Sequence, residues 1–167
     1  SLCETDMVDQ ARAIIQEASK TGCDLVTPVD VVVDVMMKEK GVPPDFCPIY
    51  DVPPAHMILD IGPQTLKLLK QKLGTCKTVV WNGPLGAFEI KPFDEGTVRI
   101  AKFIAEQTQA GKMKSVAGGG DTLAALEAAG VADKFTYVST AGGAFLEWLE
   151  GKTLPGIAAL CGMKHAA

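Results

Sequence analysis

Short apolar runs alternate with helix-like segments along most of the chain, and this alternation restricts the possible folds more than any other feature. Short strands are predicted at residues 57–61, 78–81, 114–117 and 135–139. A segment with helical spacing follows each strand and ends near a glycine; these helices are predicted at 63–73, 93–110, 122–129 and 144–150. Strands that alternate with helices at this pace form βαβ units. The sequence therefore predicts an open α/β domain with a parallel sheet covered by helices on both faces.

The first third of the chain is less regular. Residues 6–19 carry apolar side chains at helical spacing, and Gly22 is a natural end for that helix. Residues 25–33 form a β-branched run with few charges, which predicts a strand buried on both faces. Residues 42–54 contain five prolines, so we expect an extended loop or crossover there, neither a helix nor a central strand.

Composition excludes several classes of partner. The 167 residues carry a formal net charge of −4 without a local Lys/Arg cluster, which argues against a nucleic-acid surface. No apolar stretch approaches the roughly 20 residues that a membrane span needs. The five cysteines are scattered without a C-x-x-C pair, as expected for reduced thiols in a cytoplasmic protein. The chain starts at Ser1 without a methionine, and we interpret it as an excised or truncated segment.

Glycine-rich or polar turns follow four of the predicted strands. Ligands bind beyond the carboxyl ends of parallel strands, which meet at one edge of the sheet. We therefore expect these turns to form one ligand site: Asp60-Ile61-Gly62-Pro63, Asn82-Gly83-Pro84, Gly118-Gly119-Gly120-Asp121 and Ser139-Thr140-Ala141-Gly142-Gly143.

The turn Gly118-Gly119-Gly120-Asp121-Thr122 points to a nucleotide. A strand that ends in bare backbone and continues into a helix leaves unpaired N–H groups at the positive end of the helix dipole, an arrangement that binds phosphate. The carboxylate of Asp121 could then hold the metal ion of that phosphate. A simpler alternative is that Asp121 only caps its helix.

Other familiar motifs are incomplete. Leu123 stands where the third glycine of G-x-G-x-x-G belongs, and Leu146 stands where a P-loop ending in Gly151-Lys152-Thr153 needs its first glycine. No Ser-His-Asp or Cys-His arrangement can be read from the spacing. Two alternatives remain beside a kinase: a dinucleotide-binding dehydrogenase domain, and a non-catalytic module that folds onto a partner chain.

Four segments together resemble the phosphoglycerate kinase family, in its order and near its spacing. They are residues 80–89 (VWNGPLGAFE), 118–122 (GGGDT), 138–144 (VSTAGGA) and 149–156 (LEGKTLPG). The resemblance runs from about Ser1 to the end of the chain. It implies a Rossmann-like three-layer αβα fold, with residues 1–167 forming an incomplete C-terminal, nucleotide-binding domain.

The resemblance implies a glycolytic transferase. Family members transfer a phosphoryl group between 1,3-bisphosphoglycerate and ADP, giving 3-phosphoglycerate and ATP, with Mg2+ as cofactor. An N-terminal domain binds the phosphoglycerate, so this segment would bind the Mg-nucleotide and be inactive alone. The parent is expected to be a cytoplasmic monomer without nucleic-acid or membrane partners.

Site roles also follow from the resemblance, residue by residue. Asp121 would hold Mg2+ on the nucleotide phosphates. The nucleotide itself would be bound by Leu59 at the adenine, Glu89 at the ribose, Asn82 and Pro84 along the cleft, and Gly119, Gly120 and Thr122 at the phosphates. The catalytic groups would be the backbone N–H groups of Gly120, Gly142 and Gly143, directed at the transferring phosphoryl group.

The chain departs from the family pattern at two positions. Ala141 replaces the first of three glycines, and Ile58 replaces a glycine at the adenine pocket. The phosphate-contacting lysines and the substrate domain of the family would lie before Ser1.

Overall fold

A computed structural model describes residues 4–37, 43–139 and 142–161. In these residues the strands form two separate three-stranded sheets. The first sheet is antiparallel, with the order β2-β1-β3, and the second is parallel, with the order β4-β5-β6. The predicted α/β class and parallel sheet are therefore confirmed, and an antiparallel sheet is added to them.

The first helix of the described residues was predicted from the sequence. A 3-10 turn at Thr5–Met7 leads into α1, Val8–Thr21. Gly22 ends α1 in the left-handed conformation, with φ +71°, and its N–H donates to the carbonyl of Ala18. None of the α1 residues is buried.

The first sheet is built around a buried central strand. All five residues of β1, Asp30–Asp34, are buried. It pairs with β2, Asp45–Pro48, on one side and with β3, Met57–Ile61, on the other. The predicted strand start at residue 25 is wrong, because Leu25 and Val29 lie outside β1 and are 48% and 44% exposed.

The proline-rich segment is not entirely loop, because β2 lies within it. It is an edge strand, and proline is tolerated there because an edge needs no N–H donor on its outer side. The prediction that this segment forms no central strand is confirmed.

The second sheet follows the predicted βαβ pattern. Its strands are β4, Thr78–Asn82; β5, Lys114–Gly118; and β6, Tyr137–Ser139. Helix α3, Glu95–Gln109, connects β4 to β5, and α4, Gly120–Ala128, connects β5 to β6. All three strands run parallel.

Helix α2, Pro63–Leu73, begins with proline at its first position, as predicted, and packs on α3. Its leucines Leu66, Leu69 and Leu73 contact the larger of two core clusters. That cluster lies between the parallel sheet and its helices and includes Trp81, Ile100, Ile104, Leu126 and Phe135. The smaller cluster contains Val32, Leu59 and Phe93.

Two further helices follow β6. Helix α5, Gly142–Leu149, was predicted, whereas the six-residue α6, Pro155–Leu160, was not. In the part of the chain that the structure describes, no helix is long and apolar enough to cross a membrane.

Candidate functional site

The carboxyl ends of β4, β5 and β6 meet at one edge of the parallel sheet. The register pairs Asn82 with Gly118 and Gly118 with Ser139. Three of the four predicted turns therefore begin side by side, as expected, although Thr140 and Ala141 of the third turn lie outside the described residues. The expectation was wrong for the fourth, Asp60-Ile61-Gly62-Pro63, because β3 belongs to the antiparallel sheet.

The start of α4 is shaped by Gly119. This residue is the N-cap of the helix and has φ +103° and ψ 147°, a conformation that essentially only glycine adopts. Its N–H donates to the carbonyl of Ser139 at 3.2 Å, which ties the helix start to β6. The next N–H groups, of Gly120 and Asp121, have no acceptor among the described residues, as is usual in the first turn of a helix.

Asp121 lies in the first turn of α4, and its side chain is exposed. The alternative that Asp121 serves only as the helix cap is wrong, because Gly119 holds the N-cap position and no side chain caps this helix end. Among the described residues there is no cluster of three or more His, Cys, Asp or Glu side chains that could hold a metal ion. Asp121 is the acidic residue in the first turn of α4, at this edge of the sheet.

Thr122 connects two of the turns. Its side chain is 2% exposed, and its hydroxyl oxygen accepts a hydrogen bond from the N–H of Gly83 at 2.8 Å. The start of α4 is thus fixed to the turn after β4. Thr122 was predicted to meet the nucleotide phosphates. Because its hydroxyl oxygen accepts from Gly83, the hydroxyl could bind a phosphate by donating its proton.

The start of α5 packs directly on the start of α4. A Cβ atom added to Gly142 would lie 2.6 Å from the Cα atom and 2.7 Å from the nitrogen of Gly119. A Cβ atom on Gly120 or Gly143 would meet nothing within 4 Å, so both glycines border open space. The N-termini of two helices, each the positive end of a dipole, therefore adjoin each other at this edge. Ala141 lies outside the described residues.

The loop between β4 and α3, residues 83–94, carries further predicted site residues. Gly83 has φ +85°, Pro84 is half-buried and Glu89 is exposed. Asn82, just before the loop, faces the start of α4: its Oδ1 lies 3.7 Å from the position that a Gly119 Cβ would occupy. We call residues 83–94 the β4–α3 loop.

Leu59, in β3, contacts the β4–α3 loop. Its side chain is 4% exposed and packs with Val32 and Phe93, and its carbonyl accepts a hydrogen bond from Ala87 at 2.8 Å. Ile58, beside it, is 39% exposed. The backbone of β3 thereby supports the loop.

Two buried aspartates bind helix N-termini: Asp30 was not predicted from the sequence as a functional residue, and Asp60 was predicted only as part of a ligand-binding turn. Asp30 accepts hydrogen bonds from Gln64 and Thr65 of α2 at 2.9 and 2.7 Å. Burial raises the pKa of Asp30, but the bonds from Gln64 and Thr65 outweigh it and hold that pKa below its ordinary value. Asp60 accepts a bond from Gly96 of α3 at 2.7 Å. Burial raises the pKa of Asp60 to about 6, in spite of that bond. The sequence signal that could have indicated these two aspartates is an acidic residue within or beside an otherwise apolar run.

A family model described as phosphoglycerate kinase matches residues 1–152. A curated phosphoglycerate kinase of Jannaschia sp. (strain CCS1) is 58% identical, over 99% of this chain and 42% of the relative. That of Xanthobacter flavus is 54% identical, over 96% of the chain and 40% of the relative. The chain thus spans about two-fifths of the length of the curated relatives it matches.

Solved structures that are similar to this chain are also phosphoglycerate kinases. The phosphoglycerate kinase of Coxiella burnetii superposes with a TM-score of 0.87 at 42% identity, covering 96% of this chain and 40% of that one. The enzyme of Pyrococcus horikoshii OT3 gives a TM-score of 0.74 at 31% identity, covering 93% of this chain and 36% of that one.

Proposed function

The chain belongs to the phosphoglycerate kinase family, and we propose that residues 1–167 are the nucleotide-binding part of such an enzyme. The parent would transfer a phosphoryl group between 1,3-bisphosphoglycerate and ADP, giving 3-phosphoglycerate and ATP, as a cytoplasmic monomer. The observation that carries the proposal for this segment is the contact of Gly142 with Gly119, which joins two helix N-termini at the edge of the parallel sheet.

The phosphates would bind at these joined N-termini. Each helix end carries roughly half an elementary positive charge, and its first N–H groups lack partners within the helix. Gly119, Gly120 and Thr122 would face the nucleotide phosphates. Open space beside Gly120 and Gly143 supports this role, because an oxygen can approach backbone N–H groups there without meeting a side chain.

Asp121 fits the role of the metal ligand. Mg2+ prefers oxygen ligands and is usually held by one or two carboxylates, with phosphate oxygens and waters completing its coordination. The exposed carboxylate of Asp121, next to the proposed phosphate site, meets that requirement. Bound Mg2+ would neutralise part of the charge on the phosphates.

The β4–α3 loop would receive the nucleoside. Glu89 is exposed and could accept hydrogen bonds from the ribose hydroxyls, while Asn82 and Pro84 line the approach to α4. Leu59 is proposed to border the adenine. Because its side chain is 4% exposed, any contact with the base would be at the margin of the smaller core cluster.

This chain would assist the transfer itself by position and charge. Phosphoryl transfer needs little covalent chemistry from the protein, and fixed donors stabilise the charge that spreads over the moving group. The backbone N–H groups of Gly120, Gly142 and Gly143 would supply those donors. The phosphoglycerate site belongs to the proposed remainder of the parent, so the chain alone should bind nucleotide without turnover.

A binding and complementation experiment tests this function. Isothermal titration of the chain with ADP, with and without Mg2+, should show binding that Mg2+ strengthens, whereas NAD should bind weakly. A chimera in which residues 1–167 replace the matching two-fifths of the Jannaschia relative should then form ATP from 1,3-bisphosphoglycerate and ADP. Tighter binding of NAD, independent of Mg2+, would instead support a dehydrogenase domain, and an inactive, well-folded chimera would contradict the kinase assignment.

A further inference from the structure

Asp60 is a buried carboxylate outside the edge where the phosphates are proposed to bind. Its side chain is 2% exposed. Oδ2 accepts a hydrogen bond from the N–H of Gly96 at 2.7 Å, and Oδ1 accepts one from the N–H of Ile61 at 2.8 Å. Since Gly96 lies in the first turn of α3, Asp60 places a carboxylate from β3 at the start of this helix, beside the helix's own Asp94 and Glu95.

The carboxylate fills the space between two glycines. A Cβ atom on Gly86 would lie 2.5 Å from Oδ1 of Asp60, and a Cβ atom on Gly96 would also overlap that oxygen. Gly86 lies in the first half of the β4–α3 loop, and Gly96 is the second residue of α3, just after the loop. Asp60 therefore contacts both the loop and the start of the helix that follows it.

Other contacts also fix the β4–α3 loop to α3 and β3. The N–H of Leu85 donates to the hydroxyl of Thr97 at 3.0 Å, and the N–H of Ala87 donates to the carbonyl of Leu59 at 2.8 Å. Phe93 is fully buried against the smaller core cluster. The residues proposed to meet the nucleoside, Pro84 and Glu89, lie within this loop.

We propose that Asp60 is a positioning residue, whose carboxylate holds the β4–α3 loop in the conformation that receives the nucleotide; this rests on the proposed function. Asp60 touches no substrate in this role. It acts through the backbone of Gly86 and Gly96, and through them on Pro84 and Glu89.

The charges around Asp60 make the effect dependent on pH. In the described part of the chain no cation forms an ion pair with Asp60, and the neighbouring Asp94 and Glu95 are acidic, with Glu95 paired to Arg99 at 2.7 Å. Burial raises the pKa of Asp60 to about 6, Asp94 and Glu95 raise it further, and the bonds from Gly96 and Ile61 oppose the shift. Protonation would convert one acceptor oxygen into a donor and weaken the contact with Gly96.

The test compares Asp60→Asn with the unmodified sequence in the Jannaschia chimera. The dissociation constant of MgADP is measured from pH 5 to pH 8, and the ratio of variant to unmodified protein cancels the ionisation of the nucleotide itself. We expect binding about tenfold weaker in the variant at pH 7.5, since a hydrogen bond to a charged group is lost. The ratio should approach one as the pH falls to 5, below the pKa of about 6, where the side chain at position 60 is neutral in both proteins.

Asp30→Asn is the matched control. Asp30 is similarly buried, at 4% exposure, and its carboxylate binds two N–H groups at the start of α2, a different helix from the one that follows the β4–α3 loop. Its lowered pKa predicts a ratio that is constant between pH 5 and pH 8. Amide hydrogen exchange of residues 83–94 should accelerate in Asp60→Asn and not in Asp30→Asn.

A second variant guards against misfolding of the first. Gly86→Ala leaves the carboxylate in the sequence but inserts a methyl group at its position, so it should reproduce the weaker binding and the faster exchange. If the unmodified protein binds MgADP, two results for Asp60→Asn would each overturn the inference. One is a ratio of dissociation constants near one at every pH, and the other is unchanged amide exchange of residues 83–94. Unmodified protein that fails to bind MgADP would overturn the proposed function as well, and accelerated exchange would then restrict Asp60 to a structural role.

Discussion

Gly142, at the start of α5, lies so close to Gly119, at the start of α4, that a Cβ atom on Gly142 would fall 2.6 Å from the Gly119 Cα atom. Only a residue without a side chain permits this approach. The contact brings the positive ends of two helices together, and the proposed phosphate site depends on it.

Gly142→Ala should therefore separate the two helix starts. Because the neighbour is backbone and cannot rotate away, we expect a loss of about 1–3 kcal/mol of unfolding free energy and a clear loss of MgADP affinity. Denaturant unfolding and calorimetric titration measure the two effects. Gly156→Ala is the matched control, since an added Cβ there meets nothing within 4 Å; equal effects of both variants would contradict the packing argument.

Thr122→Val tests the link between the turns after β4 and β5. The variant keeps the volume of the side chain but leaves the N–H of the half-buried Gly83 without its acceptor, which lies at 2.8 Å. The expected cost is about 1–3 kcal/mol, measured by denaturant unfolding. Thr122→Ser keeps the hydroxyl and should recover most of the loss; a serine variant as unstable as the valine variant would assign the effect to packing instead.

Asp121→Asn tests the metal role. ADP should still bind, but the strengthening of binding by Mg2+ should fall by about tenfold or more, since even outer partners of metal ligands contribute that much. Titration calorimetry with and without Mg2+ provides the comparison. Glu127→Gln removes another exposed acid from the same helix and should leave the Mg2+ effect unchanged. A Mg2+ effect that survives in Asp121→Asn would remove this residue from the site.

The pH dependence of stability should reveal Asp60. Its folded-state pKa is raised from 3.8 to about 6, so the folded protein binds a proton more tightly than the unfolded chain. This contribution to stability is complete below about pH 4 and is lost as the pH rises through 6. A shift of about two units corresponds to about 3 kcal/mol.

The measurement is a series of denaturant unfolding curves between pH 4 and pH 8. As the pH rises across this interval, the unmodified chain should lose unfolding free energy relative to Asp60→Asn. A difference that is independent of pH would mean that the pKa of Asp60 is not raised by folding.

The sequence predicted the positions of the strands and helices better than it predicted which strands pair with each other. The strand at 57–61 was predicted at its observed bounds but assigned to the wrong sheet, because apolar patterning reports burial and not the direction of pairing. At Leu25 the β-branched run suggested a strand that begins only at Asp30. Helix α6 was missed because six residues are too few for a periodic signal.

In the candidate site, too, local features could be predicted from the sequence and tertiary contacts could not. The turn from Gly118 to Asp121 could be predicted from the sequence as a strand-to-helix turn, because glycines between a strand and a helix are a local signal. The role proposed for Asp60 could not, since the space it fills lies beside Gly86 and Gly96, which are far from Asp60 in the chain and approach it only after folding. The contact of Gly142 with Gly119 is equally tertiary.

Amide chemical shifts would test most directly whether the starts of α4 and α5 hold the nucleotide phosphates. In a 15N-labelled chain titrated with MgADP, the largest changes should occur at Gly120, Asp121, Thr122, Gly142 and Gly143, and adenosine, which lacks phosphates, should not produce them. Saturable binding of MgADP that leaves these five amides unchanged would contradict the proposed site.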